Sequence, residues 1–130
     1  MTNHTTVEAK TEKYADYWRR RRAERQAQNR RLTKRARSDL ERIVAALVRE
    51  FGAERIVLFG SLVRGQFTPG SDIDLAVEGI PPHDFFAALA LANRLTPLWV
   101  DLKPLEALEP HFRQRVLATG EVIYAENIKQ

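Results

Sequence analysis

Two aspartates set two residues apart, Asp72 and Asp74, are the residues of this chain best suited to chemistry. On an extended segment their carboxylates project from one face. Like charges that close repel, and one of the pair gains a raised pKa unless cations intervene. Hard divalent cations with oxygen ligands are the natural counter-charge. Upstream, Phe59 closes an apolar run and Gly60-Ser61 breaks it. A helical turn opening there offers free backbone N–H groups and a hydroxyl, which suits an anion. Gly60 lets the backbone approach a phosphate without a Cβ in the way. Arg64, three residues after Ser61, lies on the same side of that turn and serves either a phosphate or a carboxylate. Ser71, just before the pair, reads as a turn hydrogen-bonder or a ligand contact. Asp101, flanked by Val100 and Leu102, completes a three-carboxylate set if its strand lies beside the pair; its other reading is a salt bridge with Lys103 or an arginine. Phosphate-gripping N–H groups beside such a set describe a two-metal phosphoryl-transfer site.

The elements that must position these groups are legible in the apolar pattern. Leu40, Ile43, Val44, Leu47, Val48 and Phe51 form one helical stripe, stopped by Gly52. Arg55–Phe59 reads as a buried strand and Leu62–Gly65 as one helical turn. Asp72–Val77 alternates as a strand with a polar face. Asp84–Leu95 reads as a helix, Leu98–Lys103 as a third strand with Trp99 on the face of Asp101, Leu105–Leu108 as a short helix, and His111–Thr119 as a last helix before a short extended end at Val122–Tyr124. Trp99 is read as a core or rim aromatic, with base stacking as its other role. His4, His83 and His111 are scattered and receive no catalytic role. The expected class is α/β: three or four strands in one sheet, with helices on one side.

The series Gly60-Ser61-x-x-Arg64-Gly65 followed by Ser71-Asp72-x-Asp74-Leu75 resembles the signature of the DNA polymerase β-like nucleotidyltransferase superfamily. The short chain and the arginine look most like its minimal nucleotidyltransferase branch, over roughly residues 40–125. That resemblance implies a polymerase β-like core with a small mixed sheet. It implies that Gly60 and Ser61 hold phosphates, that Asp72 and Asp74 bind two Mg²⁺ ions, and that Asp101 serves the ion that activates the attacking hydroxyl. The implied reaction is in-line attack on the α-phosphate of a nucleoside triphosphate, with ATP as donor. Members of the branch are commonly antitoxins paired with HEPN-domain toxins, which implies AMP transfer to a hydroxyl of such a partner. Two alternatives stand beside this: a non-catalytic antitoxin acting by occlusion, and a transferase acting on a small molecule such as an aminoglycoside or on RNA.

Composition bounds the rest. The chain has 130 residues and no cysteine, which excludes disulfides and thiolate chemistry. No apolar run approaches the ~20 residues of a membrane span, and no secretory h-region opens the chain, so a cytoplasmic protein is expected. Residues 1–38 hold 12 Lys/Arg against 4 Asp/Glu, a net +8; residues 39–130 hold 9 against 13, a net −4. The division expected is a basic, largely helical arm over 1–38 and a nucleotidyltransferase domain over 39–130. Residues 1–10 read as frayed, 11–37 as helix, and Thr33 or Ser38 as the N-cap of a new helix. Tyr14, Tyr17 and Trp18 share one face of the arm. The arm has three readings: a solvated helix whose aromatics dock on the body, a surface for RNA or another polyanion, and a grip on an acidic partner protein or a second copy.

Overall fold

The computed structural model describes residues 2–126, with side chains from residue 6 onward. The chain opens in one helix, α1 (Thr2–Phe51), about 75 Å long at 1.5 Å per residue. No Gly or Pro interrupts these residues. Backbone hydrogen bonding therefore continues through Thr33 and Ser38, and neither starts a new helix; the frayed start expected over residues 1–10 is helical from Thr2. His4 lies outside the residues whose side chains are described. Gly52, at φ 71°, ends the helix in the left-handed region that a side chain disfavours.

Four strands follow: β1 (Arg55–Phe59), β2 (Ile73–Glu78), β3 (Val100–Pro104) and β4 (Glu121–Ala125). They form one sheet in the order β3-β2-β1-β4. β1 is antiparallel to β2 and β4, whereas β3 is parallel to β2, so the sheet is mixed. The parallel pair needs a crossover, and α3 (Phe85–Arg94) supplies it. The turn of helix α2 (Ser61–Arg64) joins β1 to the loop before β2, and α4 (Pro110–Thr119) leads into β4.

The period of two along β1 and β2 sorts their side chains into two cores. Ile56, Leu58, Ile73, Leu75 and Val77 face the main core, where Leu40, Ile43 and Leu47 of α1 and Ala88 and Ala92 of α3 cover them. Burying each of those large side chains contributes about 1.5–3 kcal/mol. Val57 and Ala76 face the other way and meet Leu105 and Val116. The helices are thus not all on one side: α1 and α3 share a face, but α4 packs on the opposite one. The reason is that β1 is buried on both faces and needs a second cover. Gly120 permits the tight exit from α4, since a Cβ there would press on Val57 and on the Val116 carbonyl. Among the described residues no helix is long and apolar enough to cross a membrane.

Candidate active site

β1 delivers the chain to Gly60, which turns at φ 84°. Phe59 is in register with Asp74 on β2, so the Asp74 carboxylate comes to lie against Gly60. A Cβ on Gly60 would collide with Asp74 Oδ2. Glycine is required there twice over, by backbone sign and by the carboxylate it faces. α2 starts at Ser61 with no side-chain cap, and its first-turn N–H groups have no acceptor within the helix. Gly65, at φ 72°, closes the turn by donating to the Ser61 carbonyl.

The parallel ladder then pairs Asp74 with Asp101. Neighbouring strands stand about 4.8 Å apart, which brings two carboxylates face to face. Asp72, exposed just ahead of β2, adds a third charge. Burial, then the charge of Asp101, then that of Asp72 push the Asp74 carboxyl up from 3.8 to about 6, against the opposing charges of Lys103 and Arg64. Lys103 Nζ stands 3.1 Å from Asp101 Oδ2, so the ion pair weighed as a rival role for Asp101 is present. Arg64 is exposed and its Nε donates to Gln66 Oε1 at 3.3 Å; its influence on Asp74 is through its field. The Ser71 hydroxyl accepts from the Thr68 N–H at 3.0 Å and stabilises the turn that precedes Asp72. Trp99 is exposed beside this end of the sheet, ahead of β3 rather than in it; its carbonyl accepts from Ile73 N–H at 2.8 Å.

Three positioning residues have no local sequence signal. Asn93, in the last turn of α3, donates to the Val100 carbonyl at 3.0 Å and accepts from the Val100 N–H at 2.9 Å. It clasps the residue before Asp101. Asp39, 1% exposed, accepts from Thr96 Oγ1 at 2.6 Å and from Arg35 and Arg42. It ties α1 to the turn that feeds β3. From α4, Arg115 lies over the ring of Phe112, which meets Phe59 edge-on, and both line a cavity of about 250 Å³ beside Gly60 and Arg64. Asp39 and Asn93 stand about 20 positions from the nearest motif residue and Phe112 and Arg115 more than 50 from Gly60, and only the tertiary packing brings them near the site.

A glycine turn facing an aspartate pair, on this strand order, agrees with the profile of the family described as polymerase beta, nucleotidyltransferase, which matches residues 41–129. The chain belongs to this nucleotidyltransferase family. A solved structure described as a minimal nucleotidyltransferase shares 27% identity with it, covers 68% of this chain and 92% of its own, and superposes with a TM-score of 0.60. A toxin-antitoxin crystal structure with AMP-PNP shares 24% identity over 67% of this chain and 74% of the other, with a TM-score of 0.58. A mutant of the toxin-antitoxin pair MntA-HpeT shares 24% over 67% and 72%, with a TM-score of 0.57. The last two are likenesses of fold. Curated protein sequences return no match.

For a nucleotidyltransferase of this family the acidic donor set fits a divalent cation in chemistry. It offers hard oxygens, and Asp74 carries a charge that the protein alone stabilises poorly. Among the described residues no three acids stand in ready ligand geometry, so the ligand shell is not preformed.

The Asp74 shift predicts a pH signature without added divalent cation. Its folded pKa lies above the unfolded value, so its contribution to stability is complete below about pH 4 and is lost as pH rises through about 6. Discounted for partial solvent screening, the loss is about 1–2 kcal/mol. Urea unfolding at pH 4.5 and 7.5 should show Asp74→Asn gaining on the native protein by that amount at the higher pH. A constant difference between the two proteins would remove the shift from the account.

Proposed function

We propose that this chain is a Mg²⁺-dependent nucleotidyltransferase that moves AMP from ATP to a hydroxyl of a partner protein, the HEPN-domain toxin of a toxin-antitoxin pair. The observation that supports the transfer reading most is Asp74 facing Gly60 on one side and Asp101 on the other. That juxtaposition puts an uncapped glycine turn and a carboxylate pair at one sheet end. The partner reading draws support from two fold neighbours being toxin-antitoxin structures, one of them with AMP-PNP.

In this reading Gly60 and Ser61 bind the β- and γ-phosphates with backbone N–H groups and the serine hydroxyl. Asp72, Asp74 and Asp101 would hold Mg²⁺, which would supply charge neutralisation at the transferring phosphate and a lowered pKa at the acceptor hydroxyl. Asp101 exchanges its Lys103 partner for that role and helps take the acceptor proton. Ser71 holds the turn that aims Asp72, and Arg64 adds positive field beside the phosphates. Positioning and charge neutralisation carry most of the rate in such transfers, so few residues suffice. The division into a basic arm over 1–38 and a transferase domain over 39–130 belongs to the same reading; the family match opens at residue 41 and, among the described residues, the first buried one of α1 is Ala36.

A second reading, an antitoxin that occludes its partner without transfer, is favoured by the Lys103–Asp101 ion pair, which already neutralises the third carboxylate. Incubation of the purified protein with Mg²⁺, α-labelled ATP and host proteins separates the two. Label on a discrete protein band supports transfer. Partner binding with no α-label on any protein, nucleic acid or small molecule selects occlusion.

A further inference from the structure

The projecting part of α1 carries one ordered row that the transfer chemistry does not use. Tyr14, Trp18, Arg22, Gln26, Arg30 and Lys34 recur at a strict spacing of four on an unbroken helix, so they run along it as one ridge about 30 Å long. Tyr14 and Trp18 contact each other edge-on with ring centroids 6.1 Å apart, and both are exposed, at 66% and 44%. They do not dock on the body. Arg22, Arg30 and Lys34 form no ion pair among the described residues, whereas Arg19, Arg35 and Arg37 are paired with Asp16, Asp39 and Glu121. The foot of the ridge enters a groove of about 620 Å³. Gln26, Arg30 and Lys34 form one wall, and Gln66 and Thr68 of the loop after α2 form the other. That second wall continues straight into the site: Gln66 accepts from Arg64, and Thr68 is bonded to Ser71 next to Asp72.

The geometry points to this ridge and groove as a binding track for single-stranded RNA, with its end directed to the Gly60–Asp74 site. Unpaired cations in a row take up phosphates and release counter-ions. Exposed aromatics at the head of the row stack bases, as single-strand tracks require. Gln26, Thr68 and Gln66 offer hydrogen-bonding groups to 2′-hydroxyls beside the cations, which favours RNA over DNA. A protein partner fits less well here, because between Arg19 and Arg31 the apolar residues are only Ala23 and Ala27. A protein interface needs an apolar centre that this stretch lacks. The track does not rest on the transfer reading, since none of its row residues belongs to the aspartate set.

The test is fluorescence anisotropy of a labelled, mixed-sequence single-stranded RNA of about 20 nucleotides, with full-length protein, at 50 and 200 mM salt. The stripe variant Arg22→Gln/Arg30→Gln/Lys34→Gln is compared with Lys13→Gln/Arg20→Gln/Arg31→Gln, an equal charge loss at arm residues outside the row. All six side chains are exposed, and thermal melts check that both variants keep the native fold. The native protein is expected to bind with an affinity that falls steeply with salt. The stripe variant should lose at least about tenfold in affinity and flatten the log–log salt slope by about 2, at about 0.7 per lost phosphate contact. The control triple variant should retain the larger part of the affinity. No binding by the native protein at 50 mM salt, or equal losses in the two triple variants, would overturn the track. Equal binding of DNA of the same sequence would overturn the assignment to RNA, and displacement by polyglutamate as effective as by unlabelled RNA would assign the arm to an acidic protein instead.

Discussion

Asp72→Asn/Asp74→Asn is expected to abolish nucleotide transfer, by about a thousandfold or more, in a protein that melts no lower than the native one. Asparagine keeps the shape of each side chain and removes two charges. Metal-assisted neutralisation of a transferring phosphoryl group contributes several kcal/mol, and each 1.36 kcal/mol is tenfold in rate. In the proposed reading, loss of the charges that would hold the cation therefore removes at least three powers of ten. Stability should move the other way. Ionised Asp74 is half-buried and faces Asp101 and Asp72, so its charge destabilises the cation-free fold above about pH 6. The measurement is α-label transfer beside a thermal melt at pH 7.5. Transfer retained by the double variant would end the assignment of these aspartates. Transfer lost together with the fold would show a structural role instead.

The second large effect is on stability, at a residue remote from the chemistry. Asp39→Ala is expected to cost about 2–3 kcal/mol and to lower Tm by roughly 10 °C. Its carboxylate is buried, yet three donors reach it: the Thr96 hydroxyl, Arg35 and Arg42. Burial alone would raise its pKa, but the hydrogen bonds from Thr96, Arg35 and Arg42 and the charge of Arg35 outweigh it and hold the carboxyl below its ordinary value. A lowered folded pKa gives stability that is present above about pH 4 and lost as pH falls below that. The figure lies below the 3–5 kcal/mol of a fully buried pair because both arginines are more than half exposed and rehydrate once released. Urea unfolding of Asp39→Ala and Asp39→Asn tests this, and native stability in both would show the ties to be idle. Because Thr96 stands in the turn before β3, the same variants should also slacken Asp101.

The sequence alone determined the parts built from near neighbours. The stripe from Leu40 to Phe51, the stop at Gly52, the strand Arg55–Phe59 and the turn at Gly60 each follow from residues within a few positions, because helix and strand periods are local rules. The spacing of Asp72 and Asp74 likewise fixed their common face. Tertiary structure decided what depends on which strand lies beside which. The parallel pairing that sets Asp101 opposite Asp74 and the docking of α4 on the far face join residues 27 to 60 positions apart, and no local period encodes such pairings. In the sequence Asp39 is one acidic residue among arginines, and only the approach of Thr96, 57 residues on, makes it a tie between layers. The arm shows both sides. Its composition made it helical and basic, but the lack of any break between it and the core helix, and the groove it forms with the loop after α2, arise because one continuous hydrogen-bond ladder is held in place by packing from Ala36 onward.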